Sequence, residues 1–312
     1  MAPVACGRRR FSFRRRAALS IVGATLVTVA LGLDLSGKGR QFSTALNTAP
    51  LPTLLLVVAL QITALLARSE AWYACVRAAG GTVARRLLFR SAGIGYLASV
   101  LNGSAGLATR VACLRRVAPD TSPRVPALLA AEVPIIAVEV ALAAVFSFTL
   151  IAPLGVPWWV PVIAIAAVAA AAVALKRVSE RRRLGLWAGL AVMRNGRYRM
   201  IAFVLLSVGA QIARNWLVLN AIGLHVSVFG AIALLIAMFT LGQLPIGPSV
   251  GAAAAVLILG AHGVAATAAA GVLLTVTGTV GSLSYAGWAI ADRAFAGARH
   301  ATPRPSMAPT QA

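Results

Sequence analysis

The fold class of this chain follows from residues 52–74, which have the sequence PTLLLVVALQITALLARSEAWYA. The run carries no charge before Arg68, and it is long enough to cross a bilayer, which takes about 20 apolar residues. Comparable runs occupy further segments at 17–33, 125–151, 158–175, 200–222 and 264–291. The alternating segments of about 10 residues that build a transmembrane β-barrel are absent from the sequence. The pattern therefore predicts an all-α, polytopic membrane protein with about six full spans.

The composition agrees with this class. Hydrophobic residues make up 60% of the chain, charged residues 12%, and the mean hydropathy is +0.86; a soluble domain carries about 25% charged residues. No polar connection is long enough to bury a core of its own. We therefore expect one transmembrane domain over residues 17–292, between a basic head (1–16) and a disordered tail (293–312), with no appended enzymatic domain.

The placement of the positive charges predicts the orientation. The net charge of +22 would suit a nucleic-acid partner, but the basic residues lie between apolar spans. If the head is cytoplasmic, all of the 29 lysines and arginines except Lys38, Arg40 and Arg214 fall at cytoplasmic positions. This positive-inside bias predicts cytoplasmic N- and C-termini and no nucleic-acid partner.

Two apolar segments, 91–110 and 228–262, are broken by glycine or proline. If the first crossed the membrane, the arginines of residues 110–124 would lie outside, so we expect it to enter from the cytoplasm and return there. The second must then enter from the opposite face. Opposite entry is typical of an inverted repeat, here with halves at about 52–151 and 200–291. In the alternative, both segments cross fully.

Short echoes accompany the two breaks. Ala67-Arg68-Ser69-Glu70-Ala71-Trp72 precedes Leu101–Gly106, and Ala213-Arg214-Asn215-Trp216 precedes Leu244–Gly251. Paired interruptions at matching places indicate a transporter-like substrate site, although glycine and proline are also frequent in transmembrane helices generally.

Ionisable residues within spans are costly and mark candidate functional sites. Arg68 and Glu70 are two residues apart and cannot face each other on one helix, so each needs a partner elsewhere or reaches the interface by snorkelling. Glu132 and Glu139 are seven apart and share a face. They could form a polar seam, a proton relay or counter-ions, with a kink at Pro134 between them.

Arg214 lies deep in its span, on a polar stripe with Gln211 and Asn215. A buried guanidinium needs an anion. We predict that Arg214 pairs either with Glu132 or Glu139, or with the phosphate of a lipid.

The broken segments offer exposed backbone groups. A helix that restarts within the membrane presents free N–H groups and partial positive charge, which suit a phosphate. The candidate residues are Asn102 and Arg110 at the first break and Pro245, Gly247, Pro248 and Gly251 at the second. No Walker sequence follows either break. The cysteines and histidines have no ligand spacing, so we expect neither a metal nor a cofactor.

The Arg-x-x-x-Trp segment at 68–72 and the Ala-Arg-Asn-Trp segment at 213–216, each followed by a broken apolar segment, resemble the transmembrane flippase-like domain of lysylphosphatidylglycerol synthases. The resemblance covers about residues 17–292. Its most specific part is Leu244–Ala254, which is similar to the family's Leu-Pro-x-x-Pro-Gly-Gly-x-Gly-x-x-Glu. It implies movement of a phospholipid or polyprenyl-linked precursor across a bacterial cytoplasmic membrane, with anionic lipids or lipid-linked precursors as partners.

The chain departs from the family pattern at both breaks. Ser249 and Val250 stand at the paired glycines, and Ala253 or Ala254 stands at the glutamate. At the first break, Gly103–Ala108 replaces Pro-x-Arg-x-Gly-Glu, although Arg110 lies near a family arginine. We expect no aminoacyl-transferring domain in this chain, so the synthase activity is not implied.

Two other functions remain open at this point. One is a non-transporting accessory that scaffolds a glycosyltransferase or envelope-assembly enzyme; the other is a membrane-embedded transferase, for which the outer loops offer only Asp34 as an acid. A membrane-enzyme partner or a homo-oligomer is compatible with each of these functions. A cavity lined by Arg214 would favour translocation, whereas a filled bundle would favour the scaffold.

Overall fold

A computed structural model of the chain describes residues 49–99, 103–181, 185–193, 196–241, 250–260 and 263–301. All regular secondary structure in these ranges is helical, which confirms the predicted all-α class. The α-helices are α1 (Leu51–Ala78), α2 (Arg85–Ser99), α3 (Gly103–Val117), α4 (Val125–Ala130), α5 (Val133–Phe146), α6 (Ile151–Leu154), α7 (Trp159–Arg181), α8 (Arg197–Ala221), α9 (Val228–Leu241), α10 (Val250–Leu259) and α11 (Val264–Ala301). Two 3₁₀ helices, Ser147–Leu150 and Gly185–Met193, join neighbouring elements.

Within the described ranges, five helical stretches are long and apolar enough to cross a membrane: Leu51–Ala78, Val125–Leu154, Trp159–Val178, Arg197–Ala221 and Val264–Ala294. Each coincides with a predicted span, because a sustained apolar run is the strongest signal in such a sequence. The predicted head and the span at 17–33 lie outside the described residues.

The kink predicted at Pro134 is present, since the span at 125–151 is interrupted at Ala131–Glu132, between α4 and α5. The break fits Pro134, which lacks an N–H and whose ring collides with the preceding turn. At the other end of the chain, α11 continues to Ala301, so part of the predicted disordered tail is helical.

Helices α1 and α8 form an antiparallel pair at the centre of the bundle. Ser207 Oγ on α8 donates a hydrogen bond to the Ala64 carbonyl oxygen of α1 at 3.0 Å. Val57, near the start of α1, packs with Val218 and Leu219, near the end of α8. Trp72, near the other end of α1, is fully buried in a separate apolar cluster.

The two broken segments pack at opposite ends of this central pair. Helices α2 and α3 contribute to the apolar cluster around Trp72, near the C-terminal end of α1. Helices α9 and α10 contribute to the cluster around Val218, near the C-terminal end of α8. Because α1 and α8 are antiparallel, the α2–α3 and α9–α10 pairs lie at opposite ends of the bundle.

Helices α2 and α3 form a close antiparallel hairpin. Each has 15 residues, or roughly 22 Å of helix, which is shorter than the roughly 30 Å hydrocarbon core. A Cβ on Gly95 would lie 2.7 Å from Arg110 Cβ, and one on Gly106 would lie 2.5 Å from Ser99 Cβ. The glycines therefore allow the two helices to approach closely.

We expect Gly106→Ala to destabilise the protein by about 1–3 kcal/mol, because the added methyl group overpacks the hairpin. Gly209→Ala, on α8, is the matched control: its Cβ would meet nothing within 4 Å, and alanine favours a helix by up to about 1 kcal/mol. Thermal unfolding of both variants in detergent measures the difference. A Gly106→Ala variant at least as stable as Gly209→Ala would contradict the close packing.

Ion pairs join four helix ends at one end of the bundle. Glu70 on α1 pairs with Arg85 on α2 and, at 3.6 Å, with Arg199 on α8. Asp292 on α11 pairs with Arg86 and Arg90 on α2. The C-terminal parts of α1 and α11 therefore meet the N-terminal parts of α2 and α8, and we call this the basic end.

Candidate functional site

Two arginines and two glutamates form a charge network between α1, α3, the break at Ala131–Glu132 and α5. Arg68 on α1 binds Glu132 at 2.9 Å and also pairs with Glu139. Arg110 on α3 binds the other oxygen of Glu132 at 2.5 Å. Arg110, Glu132 and Glu139 are each at least nine-tenths buried. The four charges compensate one another, which is the condition under which burial of ions is tolerated.

The spacing of Arg68 and Trp72 on α1 explains how the arginines of this network are positioned. Residues four apart lie on the same helix face, so Arg68 and Trp72 point towards the same neighbours. The guanidinium of Arg110 lies 4.2 Å from the centroid of the Trp72 ring, a cation–π geometry. Trp72 therefore orients Arg110 while Arg68 engages the glutamates.

The second Arg-Trp segment has a different role. Trp216 donates its indole N–H to the Val226 carbonyl oxygen at 3.1 Å, and the side chain is 38% exposed. It ties the end of α8 to the turn before α9 and does not contact a guanidinium in the way Trp72 does. The sequence echo thus marks two Arg-Trp pairs with different contacts.

Arg214 lies near the middle of α8 and is 5% exposed. Its guanidinium donates to Gln61 Oε1 on α1 and, at 3.3 Å, to Asn215 Oδ1. Nε is buried without an acceptor, and Arg214 forms no ion pair with any carboxylate of the described residues. The prediction that Glu132 or Glu139 is its counter-ion was wrong, because Arg68 and Arg110 engage both carboxylates.

A cavity of about 270 Å³ lies beside Arg214. Its polar lining consists of Arg68, Glu139, Gln211 and Arg214, contributed by α1, α5 and α8. The remaining walls are apolar: Leu142, Ala143, Phe146, Val208, Ile212, Ile232, Leu235, Ile236, Met238 and Phe239. Most of these apolar residues are only half-buried, so the cavity opens at the surface of the described bundle.

A second cavity, of about 210 Å³, lies on the α2–α3 side of the network. It is lined by Arg68, Gly95, Tyr96, Ser99, Gly106, Leu107, Arg110 and Glu132. Arg68 lines both cavities. The ion pairs of Arg68 therefore separate two spaces on opposite sides of one side chain.

The other predicted site residues fall into four groups. Asn215 contacts Arg214, and its buried Nδ2 has no acceptor. Glu70 lines neither cavity and belongs to the ion pairs of the basic end. Gly251 packs α10 against α11, since its Cβ would lie 2.7 Å from the Gly271 carbonyl oxygen. Asn102, Pro245, Gly247 and Pro248 lie outside the described residues.

Gln61 is a site residue that the sequence reasoning missed. It interrupts the apolar run of α1 and accepts a hydrogen bond from Arg214, and a lone amide in a transmembrane run was the available signal. Gly281 on α11 makes room for it, because a Cβ there would lie 2.5 Å from Gln61 Cγ. Among the residues that the structure describes, no three His, Cys, Asp or Glu side chains cluster to hold a metal.

In the described ranges, the fold and the site define a helical membrane-protein architecture in which one buried cation, Arg214, has no ion-pair partner. Comparison with known proteins finds no matching family model, curated protein or solved structure.

Proposed function

We propose that this chain is a flippase-like translocator of a phospholipid or polyprenyl-linked envelope precursor in a bacterial cytoplasmic membrane. The observation that carries the proposal is the cavity beside Arg214, where a buried guanidinium without an ion-pair partner in the described part of the chain faces apolar walls. A lipid matches this arrangement, because its charged head group is attached to apolar chains. A cationic side chain within a span is costly and is retained where it serves a ligand or pathway.

The placement of the broken segments supports an inverted repeat as the basis of transport. The α2–α3 hairpin and the α9–α10 pair lie at opposite ends of α1 and α8, as expected for two re-entrant segments that enter from opposite faces. The basic end gathers Arg85, Arg86, Arg90 and Arg199. We assign this end to the cytoplasm on the positive-inside rule.

The cavities favour translocation over the alternative functions. A scaffold for an envelope enzyme requires a surface for its partner, and it gains nothing from an interior cavity lined by arginines. A membrane-embedded transferase needs an available acid, whereas both oxygens of Glu132 bind arginines, and Glu139 pairs with Arg68 through Oε1 and has its Oε2 buried. We therefore propose no catalytic role for these carboxylates.

A tryptophan that fills the cavity tests the proposal. Ala143→Trp places a large ring in the cavity on α5 without removing a charge. We expect it to slow lipid scrambling in proteoliposomes by about tenfold or more, because a pocket closed to its ligand loses the contacts that position it.

Ala167→Trp is the matched control, since Ala167 is exposed on the outer surface of α7. It is expected to scramble at the wild-type rate. If Ala143→Trp is folded and transports as fast as Ala167→Trp, the lipid does not pass through this cavity.

A further inference from the structure

The cavity beside Arg214 carries an excess of positive charge. Its charged lining residues are Arg68, Glu139 and Arg214. Arg68 is compensated by Glu139 and Glu132, so the excess charge belongs to Arg214. A monoanion placed beside Arg214 would leave the cavity electrically neutral.

The guanidinium of Arg214 is held in place with donors to spare. Gln61 and Asn215 accept from its two Nη atoms, which leaves further N–H groups among its five donors. Nε is buried and lacks an acceptor among the described residues. Because Nε is closed to a water-sized molecule, a ligand oxygen in the cavity would bind the remaining N–H groups of the two Nη atoms.

Helix α11 leaves room for this arrangement. A Cβ on Gly278 would lie 3.3 Å from Arg214 Nη1, and one on Gly281 would lie 2.5 Å from Gln61 Cγ. The two glycines, one turn apart, therefore let Gln61 and Arg214 meet against the surface of α11. The site is assembled from three helices and is not a feature of one helix end.

The volume and the walls restrict the ligand further. At roughly 30 Å³ per water molecule, a cavity of about 270 Å³ holds several times the volume of a small ion. The walls between α5, α8 and α9 are aliphatic and aromatic, so they suit the glycerol region and upper chains of a lipid. Their partial exposure lets the chains leave the cavity towards the bilayer.

We propose that Arg214, held by Gln61 and lying beside Gln211 in the cavity, forms a binding site for the phosphate of a lipid whose head group has net negative charge. This inference rests on the proposed translocation of lipids and names the class that is moved. A zwitterionic head group carries the same phosphate, but its cation must enter a cavity that already has excess positive charge. The site therefore selects anionic over zwitterionic phospholipids by charge.

Binding of short-chain lipids to the purified full-length protein tests the selectivity separately from transport. Dihexanoyl phosphatidylglycerol, dihexanoyl phosphatidylcholine and inorganic phosphate are titrated into the protein in uncharged detergent and followed by calorimetry. We expect phosphatidylglycerol to bind at least about tenfold more tightly than either competitor. Arg214→Gln should lose about tenfold or more in affinity for phosphatidylglycerol, the scale of a charge-assisted contact.

Two variants serve as controls. Arg197→Gln makes the same change at an exposed position on α8 and should bind like wild type. Arg214→Lys should keep part of the preference, since lysine retains the charge and loses the planar fork. Should Arg214→Gln fail to fold, the wild-type preference and Arg214→Lys still decide the matter.

Three results would overturn the inference: equal affinity for the two lipids, unchanged binding by folded Arg214→Gln, or inorganic phosphate bound as tightly as phosphatidylglycerol. The last would assign the site to a free anion. Selective binding without scrambling would leave the head-group site standing and refute translocation. Scrambling without selective binding would support translocation and refute the head-group site.

Discussion

Replacement of Glu132 by glutamine is expected to lower the free energy of unfolding by about 3–5 kcal/mol, the cost of breaking a buried ion pair from one side. Glu132 binds Arg68 at 2.9 Å and Arg110 at 2.5 Å. Glutamine preserves the shape but removes the charge, so two arginines would share Glu139 alone. Denaturant unfolding in mixed micelles, followed by tryptophan fluorescence, measures the change.

The matched control is Glu180→Gln, the same substitution at an exposed position on α7, which should change stability by no more than about 0.5 kcal/mol. Adding Arg110→Gln to Glu132→Gln restores charge balance, so the double variant should be less destabilised than the sum of the single variants. Strict additivity, or a Glu132→Gln variant as stable as Glu180→Gln, would show that the network does not stabilise the fold.

The second large effect is functional. Arg214→Ala is expected to reduce lipid scrambling by about 10- to 100-fold. The cavity then lacks Arg214, the cation that has no ion-pair partner among the described residues, and with it the charge-assisted contacts that Arg214 offers to a phosphate. The fold should tolerate the change, because among the described residues Arg214 hydrogen-bonds to the amides of Gln61 and Asn215 and no buried carboxylate loses its partner. Initial scrambling rates at equal protein-to-lipid ratio measure the loss.

Arg197→Ala provides the comparison, because it removes an exposed arginine from the same helix. It should scramble at the wild-type rate. A folded Arg214→Ala protein that matches Arg197→Ala would remove Arg214 from the transport pathway.

The spans could be predicted from sequence because each depends on a local property. The apolar runs over 52–74, 200–222 and 264–291 are individually long enough to fix a helix, and the structure places helices at all three. The break in the segment at 91–110 was also predicted, and the structure has α2 end at Ser99 and α3 begin at Gly103.

The partners of the buried charges were only partly predictable. That Arg68 and Glu70 cannot pair with each other followed from helix geometry. In the structure each has partners on other elements: Arg68 binds Glu132 and Glu139, and Glu70 pairs with Arg85 and Arg199. Which glutamate serves which arginine depends on how α3 packs beside the break between α4 and α5, a non-local arrangement with no sequence signature.

The same reason explains the error at Arg214 and the omission of Gln61. A buried arginine is expected to pair with a nearby carboxylate, but Glu132 is bound by Arg110, which lies on the α2–α3 hairpin. Gln61 becomes a site residue only because Gly281 lets its side chain lie against α11. Both facts depend on three helices meeting, which hydropathy alone does not specify.

The central claim is that the protein moves lipids between leaflets, and scrambling by the reconstituted wild-type chain tests it most directly. Proteoliposomes carrying fluorescent phosphatidylglycerol, lysylated phosphatidylglycerol or a polyprenyl-phosphate sugar are treated with a membrane-impermeant quencher. We expect a lipid with an anionic phosphate head group to become accessible to the quencher beyond its outer-leaflet fraction. Protein-free vesicles are expected to show no such change. Quenching confined to the outer leaflet for every lipid, with folded protein in the membrane, would contradict it.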